Sequence, residues 1–316
     1  MNDNTPSVAD ARQQGALGNL FQVHKLPDPK FDFWDRTYVP RAIKAELFNT
    51  IAMEPVVGAV RATTDGRRNL IVLIGPPGNG KTRLSYATAS CFAQLGYQRD
   101  GKTTVLLHAR ASNWFSEMLG GSAKTVDQAF KAVGFLAKIH RTALIIDEVD
   151  SIATNRANLS SGDPTDVHRF VNAVLTGIDG LPGDGECLLI ATSNQQHMID
   201  SAFLDRTSHR FYIGYLDRAA ARAILLDQAR VYRSANFTVG DELVQAVIDE
   251  LYKDPKRAPG LSGRDLSNLF HRTMTRFSTF RPSCTQLVSV ARDHCRRTEN
   301  GNARKPDQCR TIPTAE

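Results

Sequence analysis

Cysteine is sparse in this 316-residue sequence: Cys91, Cys187, Cys284, Cys295 and Cys309 are an odd set, with no CxxC pair and no histidine-rich neighbourhood. That pattern excludes a disulfide-stapled scaffold and offers no zinc-ligand spacing, so the thiols are read as buried or incidental. Long apolar runs are missing as well. No stretch approaches the roughly 20 apolar residues that cross a bilayer, and residues 1–18 lack the basic start and apolar core of a secretory signal, so the expected compartment is the cytosol. Charge of one sign is not concentrated either. The formal charge is +6 and the pI near 9.1, but the basic residues are dispersed among acids, as on a solvated surface. There is no helix-turn-helix signature, no HExxH peptidase motif and no internal repeat. What is present, 41% hydrophobic and 23% charged residues, suffices for a substantial core in one large domain or two modest ones.

The chain changes character along its length. Residues 1–30 are rich in Asn, Asp, Gln, Gly and Pro with little apolar periodicity and read as a flexible leader. Ordered structure is expected from Phe31, with an amphipathic helix after Pro40. LIVLI (70–74), TTVLL (103–107), ALII (143–146), CLLIA (187–191) and FYI (211–213) read as buried strands, since parallel strands covered on both faces lose polar alternation. Helices are expected between them at 82–95, 125–139 and 166–178. This alternation implies a parallel five-stranded sheet between helical layers, an α/β domain over 31–216. After Leu216 the strands stop. Helices at 218–232, 241–252, 263–277 and 282–297 make a small all-helical domain over 217–297, in which Leu243, Val244, Val247, Ile248 and Leu251 share one face. Residues 298–316 return to a polar tail.

The strongest chemical signal is GPPGNGKT: Gly75, Pro76, Pro77, Gly78, Asn79, Gly80, Lys81 and Thr82, between a predicted strand and a predicted helix. Its glycines let successive backbone N–H groups surround phosphate oxygens, and the following helix N-terminus adds its positive end. Lys81 is placed to reach the β and γ phosphates, and the Thr82 hydroxyl to ligate Mg2+. In ALIIDEVD, Asp147 and Glu148 end an apolar strand. An acid pair there is common at loop starts, but with the phosphate loop upstream Asp147 acquires a role in the Mg2+ shell and Glu148 one as general base for the attacking water. Asn194, closing CLLIATSN, is either a sensor of the γ phosphate or a simple turn residue. Arg206 in AFLDRTSHRF is a candidate finger for a neighbouring subunit's γ phosphate, with Arg210 the competing candidate. Arg264 in GLSGRDL opens a helix of the small domain and could reach the same phosphates.

Together, GPPGNGKT, LIIDEVD, ATSN, the DR before the last strand and GLSGR resemble the AAA+ ATPases. SNWFSEMLG, DPTDVHRFVNAVLTGIDGL, ATSNQQHMIDSAFLDR and GLSGRDL are further similar to the pachytene-checkpoint remodelers of the thyroid-receptor-interactor type, whose substrates are HORMA-domain proteins. The likeness runs from about Phe31 to Arg297. It implies the AAA+ fold of an α/β ATPase domain with a helical lid, ATP and Mg2+ as ligands, and a homo-hexameric ring. It places the family's sensor on Asn194, its trans-acting arginine on Arg206, its lid arginine on Arg264 and its substrate-gripping pore loop on Trp114 and Phe115. On the residues alone, packing of both rings in a core is the competing reading. Asn79 stands where animal members carry threonine, a change the backbone-borne phosphate site tolerates.

The short segment before Phe31 contrasts with the folded, adaptor-docking N-terminal domain of eukaryotic members. It resembles the bacterial remodelers that accompany HORMA proteins and cyclic-oligonucleotide synthases in anti-phage operons. The expected function is ATP-driven partial unfolding of a HORMA protein, which restrains nucleotidyltransferase signalling, with the synthase reached through that HORMA protein and with no membrane or nucleic-acid partner. Two other readings share the nucleotide site: a nucleic-acid motor or loader, which DNA would stimulate in a salt-dependent way, and a scaffold that binds ATP without turnover.

Overall fold

The computed structural model describes residues 20–63, 70–111, 114, 123–151, 164–195, 199, 201–235, 237–253 and 260–301. The chain divides into two compact units, residues 1–214 and 215–316.

The first unit carries strand β1 (Gln22–Leu26), helix α1 (Arg41–Thr63), β2 (Leu70–Ile74), α2 (Lys81–Asp100), β3 (Thr104–Arg110), α3 (Ala123–Ile139), β4 (Arg141–Asp147), α4 (Pro164–Asp179), β5 (Cys187–Ser193), the short α5 (Ser201–Leu204) and β6 (Thr207–Tyr212). The five expected strands are all present and mutually parallel, in the order β3-β4-β5-β2-β6. The sheet has a sixth member, which corrects the sequence expectation. Gln22–Leu26, assigned above to a flexible leader, pairs antiparallel with β3, Val23 opposite Leu107 and Leu26 opposite Thr104. An edge strand needs only one row of backbone partners, and its buried Val23 and Leu26 anchor it.

Alternation along the strands explains the layers. Val72, Leu107, Leu144 and Leu189 face the side covered by Val126, Phe130 and Val133 of α3 and Val174 and Ile178 of α4. Ile71, Leu73, Leu106, Ile145 and Ile190 face Leu47 and Ile51 of α1 and Leu84 and Phe92 of α2. With side chains alternating and both faces covered, every residue of β2, β4 and β5 is buried, which is why these strands read as uninterrupted apolar runs.

The strand order places the chemistry. The chain leaves β2 and re-enters the sheet at β3, beyond β5 and β4, so the connections diverge at the C-terminal end of β2. Open α/β sheets bind ligands at such a switch point.

The second unit contains helices α6 (Arg218–Ser234), α7 (Asp241–Leu251), α8 (Gly263–Ser267), α9 (Leu269–Phe277) and α10 (Cys284–Gly301). Asp217 caps α6 by accepting from the Ala220 N–H. Ser262 and Asp265 form a reciprocal capping box at the start of α8. The single helix expected over 263–277 is broken at Asn268, whose φ of −96° and ψ of −1° fall in the bridge region. Val244, Val247, Ile248 and Leu251 point into this unit's core with Leu266, Phe270 and Leu287.

Candidate nucleotide site

The loop after β2 is folded for close approach rather than for side-chain contact. A Cβ on Gly75 would lie 2.1 Å from the Ile213 carbonyl oxygen, so the backbone passes where only glycine fits. Gly80 caps α2 in the left-handed region (φ +82°) and offers no side-chain cap. The first N–H groups of a 20-residue helix are thereby left to an outside acceptor, which is the arrangement that binds phosphate. Asn79, 4% exposed, donates its side-chain amide to the Gly214 carbonyl at 2.9 Å and pins the loop to the exit of β6.

Lys81 is buried and donates to the Gly75 and Pro76 carbonyls at 2.7 and 2.9 Å. These neutral acceptors belong to the loop itself, so the ammonium is held where an incoming phosphate would offer it stronger, charge-assisted partners. Thr82 donates to Asp147, its hydroxyl lying 3.0 and 2.9 Å from the two carboxylate oxygens. The two residues are 65 positions apart in sequence and meet because β4 and β2 both flank β5. A hydroxyl and a carboxylate in contact are hard oxygen donors of the kind Mg2+ takes while retaining most of its water. The residues present therefore fit a magnesium–triphosphate.

Glu148 sits in the left-handed region at φ +59°. For a residue with a Cβ this costs about 1–3 kcal/mol and persists only where surrounding structure enforces it. The enforcing contacts come from β5. The Thr192 hydroxyl accepts the Glu148 N–H at 3.1 Å and donates to Asp147, while the Thr192 carbonyl accepts the Val149 N–H at 2.9 Å. Asp150 accepts the Asn194 N–H at 3.1 Å. Thr192 and Asp150 were not singled out in the sequence. The only signal was a pair of polar residues closing an apolar strand, which is too common to read.

Asp147 also colours its surroundings. Tyr86, stacked on Phe31 at 4.9 Å, has its phenol pushed up to about 12, first by burial and then by the Asp147 charge. His108, 5.1 Å from Tyr86, is buried with no hydrogen-bond partner on either ring nitrogen among the described residues, and burial lowers its pKa.

The remaining candidates are distributed. Asn194 lies just past the end of β5, half-buried, with its backbone N–H on Asp150. Arg206 lies just beyond α5, its Nε and Nη2 donating to the two Asp179 carboxylate oxygens (2.8 and 2.7 Å) and its Nη1 to the Ala202 carbonyl at 2.7 Å. Arg210 donates to the Leu204 carbonyl at 2.8 Å. Arg264 belongs to the second unit, in the first turn of α8. Trp114 departs from the pore-loop expectation. It is 1% exposed, its indole N–H donates to the Leu20 carbonyl at 3.1 Å, and its ring meets Phe21 and Phe130 edge-on. A ring so enclosed is a core residue, held by Leu20 and Phe21 just ahead of β1 and by Phe130 of α3. Phe115 lies outside the described residues.

Residues 71–215 match the ATPase family associated with various cellular activities, AAA. Among curated proteins the sequence is 31% identical over 220 residues to pachytene checkpoint protein 2 of Saccharomyces cerevisiae, covering 62% of this chain and 39% of that protein. It is 32% identical over 212 residues to CD-NTase-associated protein 6 of Pseudomonas aeruginosa, covering 64% of this chain and 67% of that protein. The chain thus matches about two-fifths of the yeast protein's length and about two-thirds of the bacterial one's. In fold it is similar to a chain of the E. coli MS115-1 HORMA:CdnC:Trip13 complex, with a TM-score of 0.67 at 18% identity, over 88% of this chain and 96% of that one.

Proposed function

We propose, from the premise that this chain belongs to the AAA ATPase family and to the group that includes pachytene checkpoint protein 2 and CD-NTase-associated protein 6, that it binds and hydrolyses Mg-ATP to remodel a HORMA-domain protein. The observation that carries the ATPase half is the contact of Thr82 with Asp147, which joins the phosphate loop to the strand bearing the acids. The backbone N–H groups from Gly78 to Thr82 and the ammonium of Lys81 bind the triphosphate. Thr82 and Asp147 would hold Mg2+, which when bound would supply neutralisation of the phosphate charge. Glu148 accepts a proton from the attacking water, and Asn194 orients that water from the tip of β5.

Arg206 acts on the nucleotide of an adjacent copy in a homo-hexamer. The client assignment has a different support. A chain of this fold occurs with a HORMA protein and CdnC in one complex, and a bacterial relative is named for association with a CD-NTase. The client is accordingly a HORMA protein whose closed state engages a cyclic-oligonucleotide synthase, and remodelling restrains that enzyme.

Glu148→Gln tests both halves. The variant retains ATP affinity, measured with a fluorescent analogue, and loses phosphate release by about 10²-fold or more, the loss of a positioned general base. Loaded with ATP, it retains a purified HORMA protein on a column that wild type releases. Wild-type phosphate release from the glutamine variant would remove Glu148 from its role, and failure to hold the HORMA protein would remove the client.

A further inference from the structure

Both acids of the site lean on one hydroxyl. We infer that Thr192 is a positioning residue for ATP hydrolysis: a single strand side chain that fixes the Glu148 backbone in its left-handed turn and leaves one Asp147 oxygen committed to the protein. The inference rests on the ATPase reading above.

The geometry allots each polar atom of Thr192 a distinct task. Its hydroxyl proton goes to Asp147 Oδ1, and its hydroxyl lone pair takes the Glu148 N–H. Its backbone carbonyl takes the Val149 N–H, so the turn bearing Glu148 is gripped on both sides from one residue of the neighbouring strand. Thr192 is 1% exposed, and water cannot replace it there. A hydroxyl has one proton, and donating it to Asp147 leaves only acceptor capacity toward Glu148. The hydroxyl orientation is therefore set by the Asp147 contact on one side and the Glu148 N–H on the other. β-branching restricts the rotamer that serves both partners at once.

Removing the hydroxyl leaves the amide of Glu148 without its acceptor and releases the residue toward an ordinary backbone conformation, moving the carboxylate away from the water it deprotonates. Triphosphate binding depends on the loop amides and Lys81 and does not pass through Thr192. The signature is a loss of turnover without a matching loss of affinity.

The test uses full-length protein and three substitutions. Thr192→Val keeps the shape and loses the hydroxyl; Thr192→Cys keeps the volume and offers a weak donor; Thr192→Ser restores the hydroxyl without the methyl. Valine and cysteine are expected to lower kcat by about 10–100-fold, the usual cost of losing a group that orients a catalytic one, with ATP affinity within about 3-fold of wild type. Serine is expected to rescue turnover to within about 3-fold.

Should the valine variant not fold, the cysteine–serine pair carries the same contrast. Undiminished turnover in the valine or cysteine variant overturns the inference, as does a loss of affinity equal to the loss of kcat. Failure of serine to outperform cysteine overturns it too, because a purely packing role follows volume and not the hydroxyl. If wild type itself neither binds nor hydrolyses ATP, it is the ATPase reading that fails.

Discussion

At the scale of single residues, the acid site and its neighbours make opposite demands on water. Asp147 is buried but satisfied by two hydroxyls, whereas His108 is buried with neither ring nitrogen paired among the described residues. His108 faces the charges of Asp147, which favours its protonation, and of Arg110 and His24, which oppose it; desolvation dominates and lowers its pKa from the ordinary 6.5. A histidine whose folded pKa is depressed contributes fully above its unfolded value, and that contribution is lost as pH falls below 6.5 toward the folded pKa. His108→Phe, similar in shape and without titration, is therefore expected to flatten the decline in urea midpoint between about pH 7 and pH 5. An unchanged slope would show that other groups set it. Residue-level chemistry was legible where a motif fixes spacing, as with Lys81, Thr82, Asp147 and Glu148. It was not legible for Thr192, whose importance lies in a contact across strands, or for Trp114, where the same aromatic suits a presented loop and a core equally well.

At the scale of elements, the lower end of the sheet is closed by an ion cluster that no pattern announces. Arg141, the first residue of β4 and 3% exposed, donates to Asp100 at 2.5 Å, to Glu186 at 2.8 Å and to the Lys102 carbonyl at 3.3 Å, joining the end of α2 to the approaches of β3 and β5. Its guanidinium lies where a Cβ on Gly96 would come within 2.1 Å, so α2 needs glycine there to accommodate it. Arg141→Met fills the volume but leaves Asp100 and Glu186 only the partly exposed Arg99 guanidinium as a cationic partner, and the expected destabilisation is about 1–3 kcal/mol, below a fully buried pair because the acids are partly solvated and keep Arg99. Its hydrogen bond, above all, holds the Asp100 carboxyl down at about 2, against an ordinary 3.8. A depressed carboxylate contributes fully above its unfolded pKa and loses that contribution as pH falls from 3.8 toward 2. Acid unfolding followed by circular dichroism should thus be less steep over that interval in Asp100→Asn than in wild type. The five parallel strands were readable because burial on both faces makes them continuously apolar. β1 was not, since QVHKL offers only two buried apolar residues and takes its place from β3 rather than from its own periodicity.

At the scale of the whole molecule, the state of Arg206 bears on how copies would cooperate. Within one chain each nitrogen of its guanidinium donates to Asp179 or to the Ala202 carbonyl. The Asp179 side chain is half exposed, and solvent-exposed pairs of this kind are worth about 0–1 kcal/mol, less at physiological salt. A γ phosphate developing charge in a site with little water offers far more, so the tether pre-orients the arginine without holding it back. Arg206→Ala should then leave ATP affinity nearly unchanged and reduce phosphate release by about 10³-fold or more. If the arginine serves the neighbouring copy, mixing Arg206→Ala with Glu148→Gln restores part of the turnover. Glu148→Gln subunits still present Arg206 to a neighbour, and Arg206→Ala subunits still hold Glu148 beside their own nucleotide. Titrating one inactive variant into the other should give phosphate release that peaks at an intermediate ratio. A mixture as inactive as its components would place Arg206 in the service of its own chain, and the same experiment with Arg210→Ala decides between the two arginines.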